Sequence, residues 1–438
     1  MKKTTLQALI ITICIGIFLT SCSSQSQTDP SYAISIPQLQ PAPLIAPPLT
    51  VTNPETTAVA HSANDFAFKL SAALLQNIQH ENFVVSPFSV WMPLAALVNA
   101  TAPQHLPALL ESLGAAGISP EHINQAASRM LFNLTNENGQ RRGFEGIHGQ
   151  SPLHIANAIL VDHNRTLNTH FAQTFLDYFR GEVISVDFNS RSAVDAINQW
   201  ASDNTNGLID EIIQDFDPDT IAAIANAIYF SGEWVHQFSP AATAQDIFHS
   251  PTGDGTAYFM RLHRCNIRYF EDEYVQAIDL PFTVGGGMYI ILPRNGDAVG
   301  LLSNMTAECF VAIQENSVMA EGTLLLPRFS IENTLDELWD ILKTLGVPLL
   351  DEQLDPITGL IDDNPLFISN AVQVAMIEID EEGATAAAVT VMGMEDSAPP
   401  PPDIIFEMIC NSPFVFILYG WTQDGGRQIL FMGVVNQP

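Results

Sequence analysis

Apolar and polar positions divide this chain into three stretches. Residues 6–19 form an almost wholly apolar run behind Lys2 and Lys3. Residues 23–60 show no helical period and carry prolines at 30, 37, 41, 43, 47, 48 and 54. From residue 61 the spacing becomes that of folded elements. Phe66, Leu70, Leu74 and Ile78 recur at helical spacing, and Ser62 with Asp65 has the form of a capping box, which predicts a helix over 63–78. Further helices are predicted over 90–101, 120–132, 168–178 and 192–204. Leu335, Leu338, Trp339, Leu342 and Leu345 mark another, capped by Asn333 or Thr334 and ended by Gly346 in the left-handed position. Phe171, Phe175 and Phe179 form a stripe that reads as core packing. Strands are predicted at 153–161, 182–188, 221–230, 288–292, 323–331, 367–379, 404–409, 413–418 and 429–435. The 221–230 run is apolar on both registers, as a strand covered on both faces in mid-sheet would be.

Residues 381–397, EEGATAAAVTVMGMEDS, have two readings. The glycine and small residues fit a mobile loop. Yet Ala384, Ala386, Ala388, Thr390, Met392 and Met394 form one alternating register, small and then apolar, opposite Thr385, Ala387, Val389, Val391, Gly393 and Glu395. A strand sends such registers to opposite faces. The stretch therefore also fits a strand entering a sheet with its Ala384–Met394 register towards a core.

Composition supports a sizeable core, since 47% of residues are hydrophobic and only 15% charged. The ~380 residues after the proline-rich interval exceed an ordinary domain of ~100–200 residues. No later linker or repeat divides them, so a single large α/β domain is expected. Proline favours extended conformations, so 23–60 reads as a disordered tether.

Residues 1–22 read as a targeting segment, with a basic start and an apolar core too short to span a bilayer comfortably. Leu19-Thr20-Ser21-Cys22 resembles the cleavage box of bacterial lipoproteins, which implies a mature chain lipidated at Cys22. The alternative is an ordinary secretory signal with an incidental cysteine. Ser23 in place of an aspartate favours an outer membrane. Without Lys2 and Lys3, 14 basic face 48 acidic residues. That balance repels phosphate backbones and anionic lipids, which excludes nucleic-acid binding. It suits solubility outside the cell, or steering of a basic partner. Cys265, Cys309 and Cys410 lack metal-ligand spacing and read as buried small hydrophobes.

Enzyme signatures are missing from the sequence. It has no Gly-x-Ser-x-Gly elbow, no His-Glu-x-x-His and no phosphate loop. Asp215, Asp217 and Asp219 imitate a calcium loop, but Thr220 and Asn226 stand where it needs glycine and glutamate. No cofactor and no metal is expected.

Acidic-acidic-Gly followed by small residues resembles the proximal hinge of an inhibitory serpin. Residues 82–90, NFVVSPFSV, are similar to that family's buried segment before its second helix. Residues 226–234, NAIYFSGEW, are similar to its central-strand signature, and 326–345 to the strand and helix leading to the loop. PFVFIL at 413–418 and FMGVVN at 431–436 match its C-terminal strands. These matches run in family order from about residue 61 to 438. The resemblance implies an α+β serpin fold over 61–438, with three β-sheets, about eight to nine helices and an exposed reactive-centre loop.

It further implies a suicide inhibitor of serine proteases, with cysteine proteases a further class, acting as a monomer. The implied hinge is Glu381, Glu382, Gly383, Ala384, Thr385, Ala386, Ala387, Ala388, Val389 and Thr390. Ser86, Asn226 and Gln373 fall in the implied sheet-opening region. The usual seventeen-residue spacing counted from Glu381 puts the reactive bond at Ser397–Ala398. Alternatives are Asp396–Ser397 and Met394–Glu395. The bonds after Ala398 precede prolines 399–402 and are disfavoured. A small residue before the cut suits an elastase-like or subtilisin-like pocket. The chain departs from the family in having Ala384 for threonine or serine, Gln373 for a histidine, and a loop about five residues longer when counted back from Pro413. A non-inhibitory binding protein of the same fold on the cell surface is the alternative, as is a ligand-binding or adhesive surface lipoprotein. Export to the outer membrane or cell surface, or release outside the cell, follows from the first 22 residues.

Overall fold

The computed structural model describes residues 54–135, 153–384 and 405–438, apart from positions 206, 208, 217–219, 284, 336, 363–365, 369, 370, 372 and 423–425. The first part of the chain comprises α1 (Pro54–Leu74), β1 (Phe83–Val85), α2 (Pro87–Leu97), α3 (Leu106–Ser112), α4 (Pro120–Thr135), β2 (Leu153–Asp162), α5 (Thr169–Phe179), β3 (Gly181–Val186) and α6 (Arg191–Asn204). A strand-rich middle follows with β4 (Ala222–Phe230), β5 (Gly232–Glu233), β6 (Ala244–Ser250), β7 (Gly253–Glu271), β8 (Val275–Pro281) and β9 (Gly286–Pro293). The last part holds α7 (Ala298–Asn304), α8 (Ala307–Asn316), β10 (Val318–Pro327), β11 (Phe329–Leu335), α9 (Leu338–Thr344), β12 (Gln373–Ile379), β13 (Gly383–Ala384), β14 (Ile405–Ile409), β15 (Phe414–Trp421) and β16 (Arg427–Val435).

Among the described residues these elements form three sheets with nine helices, the α+β fold expected. A nine-stranded sheet runs β1-β16-β15-β9-β8-β7-β10-β14, with β6 beside β7. A four-stranded sheet runs β11-β12-β13-β5, and a three-stranded sheet runs β3-β2-β4. The main core includes Phe66 and Leu70 of α1, Trp91 of α2 and both faces of β15 and β16, which are buried almost throughout. A second cluster forms where Ala193, Ile197, Trp200 and Ala201 of α6 pack on Ala158, Leu160 and Ala227. Asn168 caps α5 by accepting from Phe171 N at 3.1 Å, and the phenylalanine stripe is buried in the core.

Several expectations are corrected. Helix α1 starts at Pro54, a residue suited to a first helical turn, and takes in the last seven residues of the proposed 23–60 tether. Val59 there is fully buried, so packing overrides the proline-rich composition. Ser62 lies inside that helix rather than capping it, and its hydroxyl donates to Ala58 O and Gly114 O. Asn333 and Thr334 belong to β11, so the α9 cap position falls to Glu337. Gly346 does take a positive φ of 81°. The 323–331 strand is two strands. After Pro327 the chain leaves the nine-stranded sheet, and Phe329 begins β11 in another. Of the predicted 367–379 strand, the described part in strand conformation is Gln373–Ile379. Among the described residues the 221–230 strand is half-buried and lies at the edge of its sheet, not in the middle. Cys309 is exposed, whereas Cys265 and Cys410 are buried.

Candidate functional site

The hinge begins as a tight reversal after β12. Asp380 organises it, because its Oδ1 accepts from Glu382 N at 2.9 Å and Gly383 N at 3.1 Å. Asp380 N in turn donates to Gly383 O at 3.1 Å. The chain then runs back as β13, between two strands and antiparallel to both. Ala384 pairs with Ile379 of β12, while Gly383 and Ala384 pair with Glu233 and Gly232 of β5. Glycine is required at 383 by close approach: a Cβ there would lie 1.9 Å from Gly232 O. The segment after β5 grips the same turn. Trp234 N donates to Glu382 O at 2.9 Å, Phe238 N to Glu381 O at 3.0 Å, and Trp234 Nε1 to Asp380 O at 3.0 Å. The Trp234 indole is held by stacking on Phe282, with ring centroids 4.5 Å apart.

Glu381 is the electrostatic centre of this turn. It is buried, yet Arg328 Nε donates to its two oxygens at 2.9 and 2.8 Å and Arg328 Nη2 to Oε1 at 2.6 Å. The Thr243 hydroxyl donates to Oε1 as well. Burial pushes the carboxyl upward, but the bonds from Arg328 and Thr243 outweigh it and hold Glu381 below its ordinary value. The bonds to Glu381 raise the Arg328 guanidinium above its own. Arg328 reaches the turn because it sits at the crossing from β10 to β11, where its own N–H bonds Tyr258 O at 2.9 Å. The hinge glutamates and glycine were legible as a motif. Arg328, Thr243 and Asp380 were missed, because no local pattern marks residues that meet only when sheets assemble.

Of the expected sheet-opening residues, two come together. Ser86 N donates to Gln373 Oε1 at 3.0 Å, and Gln373 Nε2 donates to Ser86 O at 2.8 Å. Both residues are buried, and the Ser86 hydroxyl donates to Leu430 O at 2.8 Å. This ties β12 at its start to the entry of α2 and to β16. Asn226 stands apart. Its Nδ2 donates to Asn157 Oδ1 at 2.7 Å across the β2–β4 pair, and Asn157 donates on to Phe179 O. Among the described residues no hydrogen bond joins Asn226 to Ser86 or Gln373.

A cleft separates the β4 edge of the three-stranded sheet from β12. Ile228, Tyr229 and Phe230 line one side, Met376, Ile377 and Glu378 the other, and Leu418 and Phe431 also border it. Thr385, Ala386, Ala387, Ala388, Val389 and Thr390 lie outside the described residues. So do Met394, Glu395, Asp396, Ser397, Ala398 and Cys22.

Comparison with known proteins accords with this geometry. The chain is 29% identical over 391 residues to "Antichymotrypsin-2" of Bombyx mori, covering 86% of this chain and 98% of that one. It resembles the crystal structure of Serpin48 from Tenebrio molitor with a TM-score of 0.73 and 25% identity, over 88% of this chain and 100% of the other. Human thyroxine-binding globulin complexed with its ligand shares the fold at TM-score 0.73 and 23% identity, over 88% and 99% of the two chains. Residues 61–438 match the family model described as "Serpin (serine protease inhibitor)", and the chain therefore belongs to the serpin family.

Proposed function

We propose that this serpin is inhibitory and traps its target as a covalent acyl-enzyme. The observation that carries the reading is β13. A two-residue strand, antiparallel to both β12 and β5, stands where a longer strand of the same polarity would continue. The residues that would follow it are Thr385, Ala386, Ala387, Ala388, Val389 and Thr390, none of them charged. Small side chains enter a sheet without stranding a charge in a dry interior, which would oppose insertion by several kcal/mol.

In this reading the protease serine attacks the Ser397 carbonyl carbon. Its Oγ forms an ester as the C–N bond to Ala398 breaks, and the Ala398 nitrogen leaves as an amine with a proton from the protease histidine. Release of the loop lets it insert behind β13 between β5 and β12. The tethered enzyme is carried along and its catalytic groups lose their alignment before water reaches the ester. Asp396–Ser397 and Met394–Glu395 are the alternative bonds. A small residue before the cut directs the proposal to elastase-like or subtilisin-like enzymes. The protein is proposed to act as an exported lipoprotein anchored through Cys22. Incubation with a panel of serine proteases, read on denaturing gels, tests the reading. Complexes that survive denaturant support it. Cleavage without a complex favours a substrate or a non-inhibitory binding protein.

A further inference from the structure

Metal-ligand spacing is absent from the sequence, but strand pairing builds a candidate set far from the hinge turn. β2 and β3 run parallel, with Asp162 opposite Val186. Asp162 closes β2, His163 follows it, and Asp187 follows the end of β3. One donor atom from each of Asp162, His163 and Asp187 lies within 4.8 Å of the other two, and all three residues are half-buried.

The imidazole is oriented from behind. His163 N donates to Val186 O at 2.8 Å, and its ring Nδ1 lies 3.3 Å from the same carbonyl. A carbonyl oxygen only accepts, so Nδ1 carries a proton in that contact. Metal-binding histidines are held in this way, with the second ring nitrogen donating to a carbonyl or carboxylate. The carboxylates are also positioned. Asp162 Oδ1 accepts from Asn164 N at 2.9 Å, and Asp187 Oδ1 accepts from Asn189 N at 3.0 Å.

We propose that Asp162, His163 and Asp187 bind a divalent cation of the zinc class. One imidazole and two carboxylates match the mixed nitrogen and oxygen shell of zinc, whereas calcium and magnesium take oxygen ligands. Three protein donors leave a position for water. The cation would neutralise two carboxylates held close together. It would also join the end of β2 to the approach to α6, which starts at Arg191 behind the Ser190 cap. A bound ion is therefore a staple between that approach and the sheet on which α6 packs.

The test is titration of the full-length chain, in detergent, with Zn2+ by calorimetry and with Co2+ by absorption. Wild type is expected to bind Zn2+ at one site that His163→Gln and Asp187→Asn each weaken by about tenfold or more. Zn2+ should raise the unfolding midpoint of wild type, as any ligand of the folded state does, and raise those of both variants clearly less at the same concentration. The cobalt absorption band should be weaker at equal Co2+ in the same two variants. Wild type that binds no Zn2+ overturns the proposal. So does binding that persists unchanged in both variants, which would place the ion on other histidines.

Discussion

Arg328→Met isolates the contact that anchors the hinge. Methionine keeps an unbranched apolar stem and removes the guanidinium. Glu381, 5% exposed, would retain Thr243 as its side-chain donor but lose all three Arg328 bonds. Removing one member of a fully buried ion pair costs about 3–5 kcal/mol. The Arg328 side chain is 46% exposed, so water already screens the pair, and about 2 kcal/mol is the expected loss near neutral pH. The pH dependence has a defined sign. The wild-type Glu381 carboxyl is held below its ordinary value of 4.5, so its contribution is full above that value and is lost as pH falls through the lower folded value. In the variant burial is opposed only by the Thr243 and backbone bonds, so the carboxyl rises from its wild-type value and the variant's deficit is largest at neutral pH and shrinks as the group takes up a proton. Urea unfolding midpoints of both proteins at about pH 7 and about pH 4.5 measure this. The gap should be wide at the higher pH and narrower at the lower. Equal midpoints at neutral pH, or a gap independent of pH, would refute the argument that Glu381 is held ionised by Arg328.

Gln373→Leu should lower stability by about 2–3 kcal/mol, because it leaves Ser86 N–H and C=O buried without their partner; an unfolding midpoint equal to wild type would contradict this. Ala386→Glu should turn the inhibitor into a substrate, since a carboxylate on the inward register slows insertion and lets hydrolysis finish; an unchanged stoichiometry of inhibition would remove the register assignment. Cys22→Ser should abolish acyl labelling of the full-length chain in its host cell, and labelling that persists would sink the lipoprotein reading.

Legibility followed the range of the interactions. The hinge was readable because Gly383 and its neighbours form one contiguous pattern. Gln373 was readable as a departure from a family position, and its two bonds to the Ser86 backbone give that substitution a physical role. Strand β7 was missed because Arg261, His263, Arg264 and Arg268 interleave its buried residues and break up the apolar run. The division of the 323–331 segment at Arg328 was hidden for a different reason. Both halves carry strand patterns, and only the sheets they join distinguish them. Asp187 gave no signal beside Asp162 and His163, because its proximity depends on the register of β2 against β3. Tertiary pairing of this kind leaves no trace in local spacing.

The central claim is tested most directly by mass spectrometry of the reaction with an elastase-like protease. The account predicts a denaturant-stable complex of one enzyme with one inhibitor, and release of a C-terminal peptide beginning at Ala398. A peptide beginning at Ser397 or Glu395 would move the reactive bond and the protease class with it. A chain cleaved at any of these bonds, beside a fully active protease and no covalent complex, would contradict the inhibitory mechanism itself.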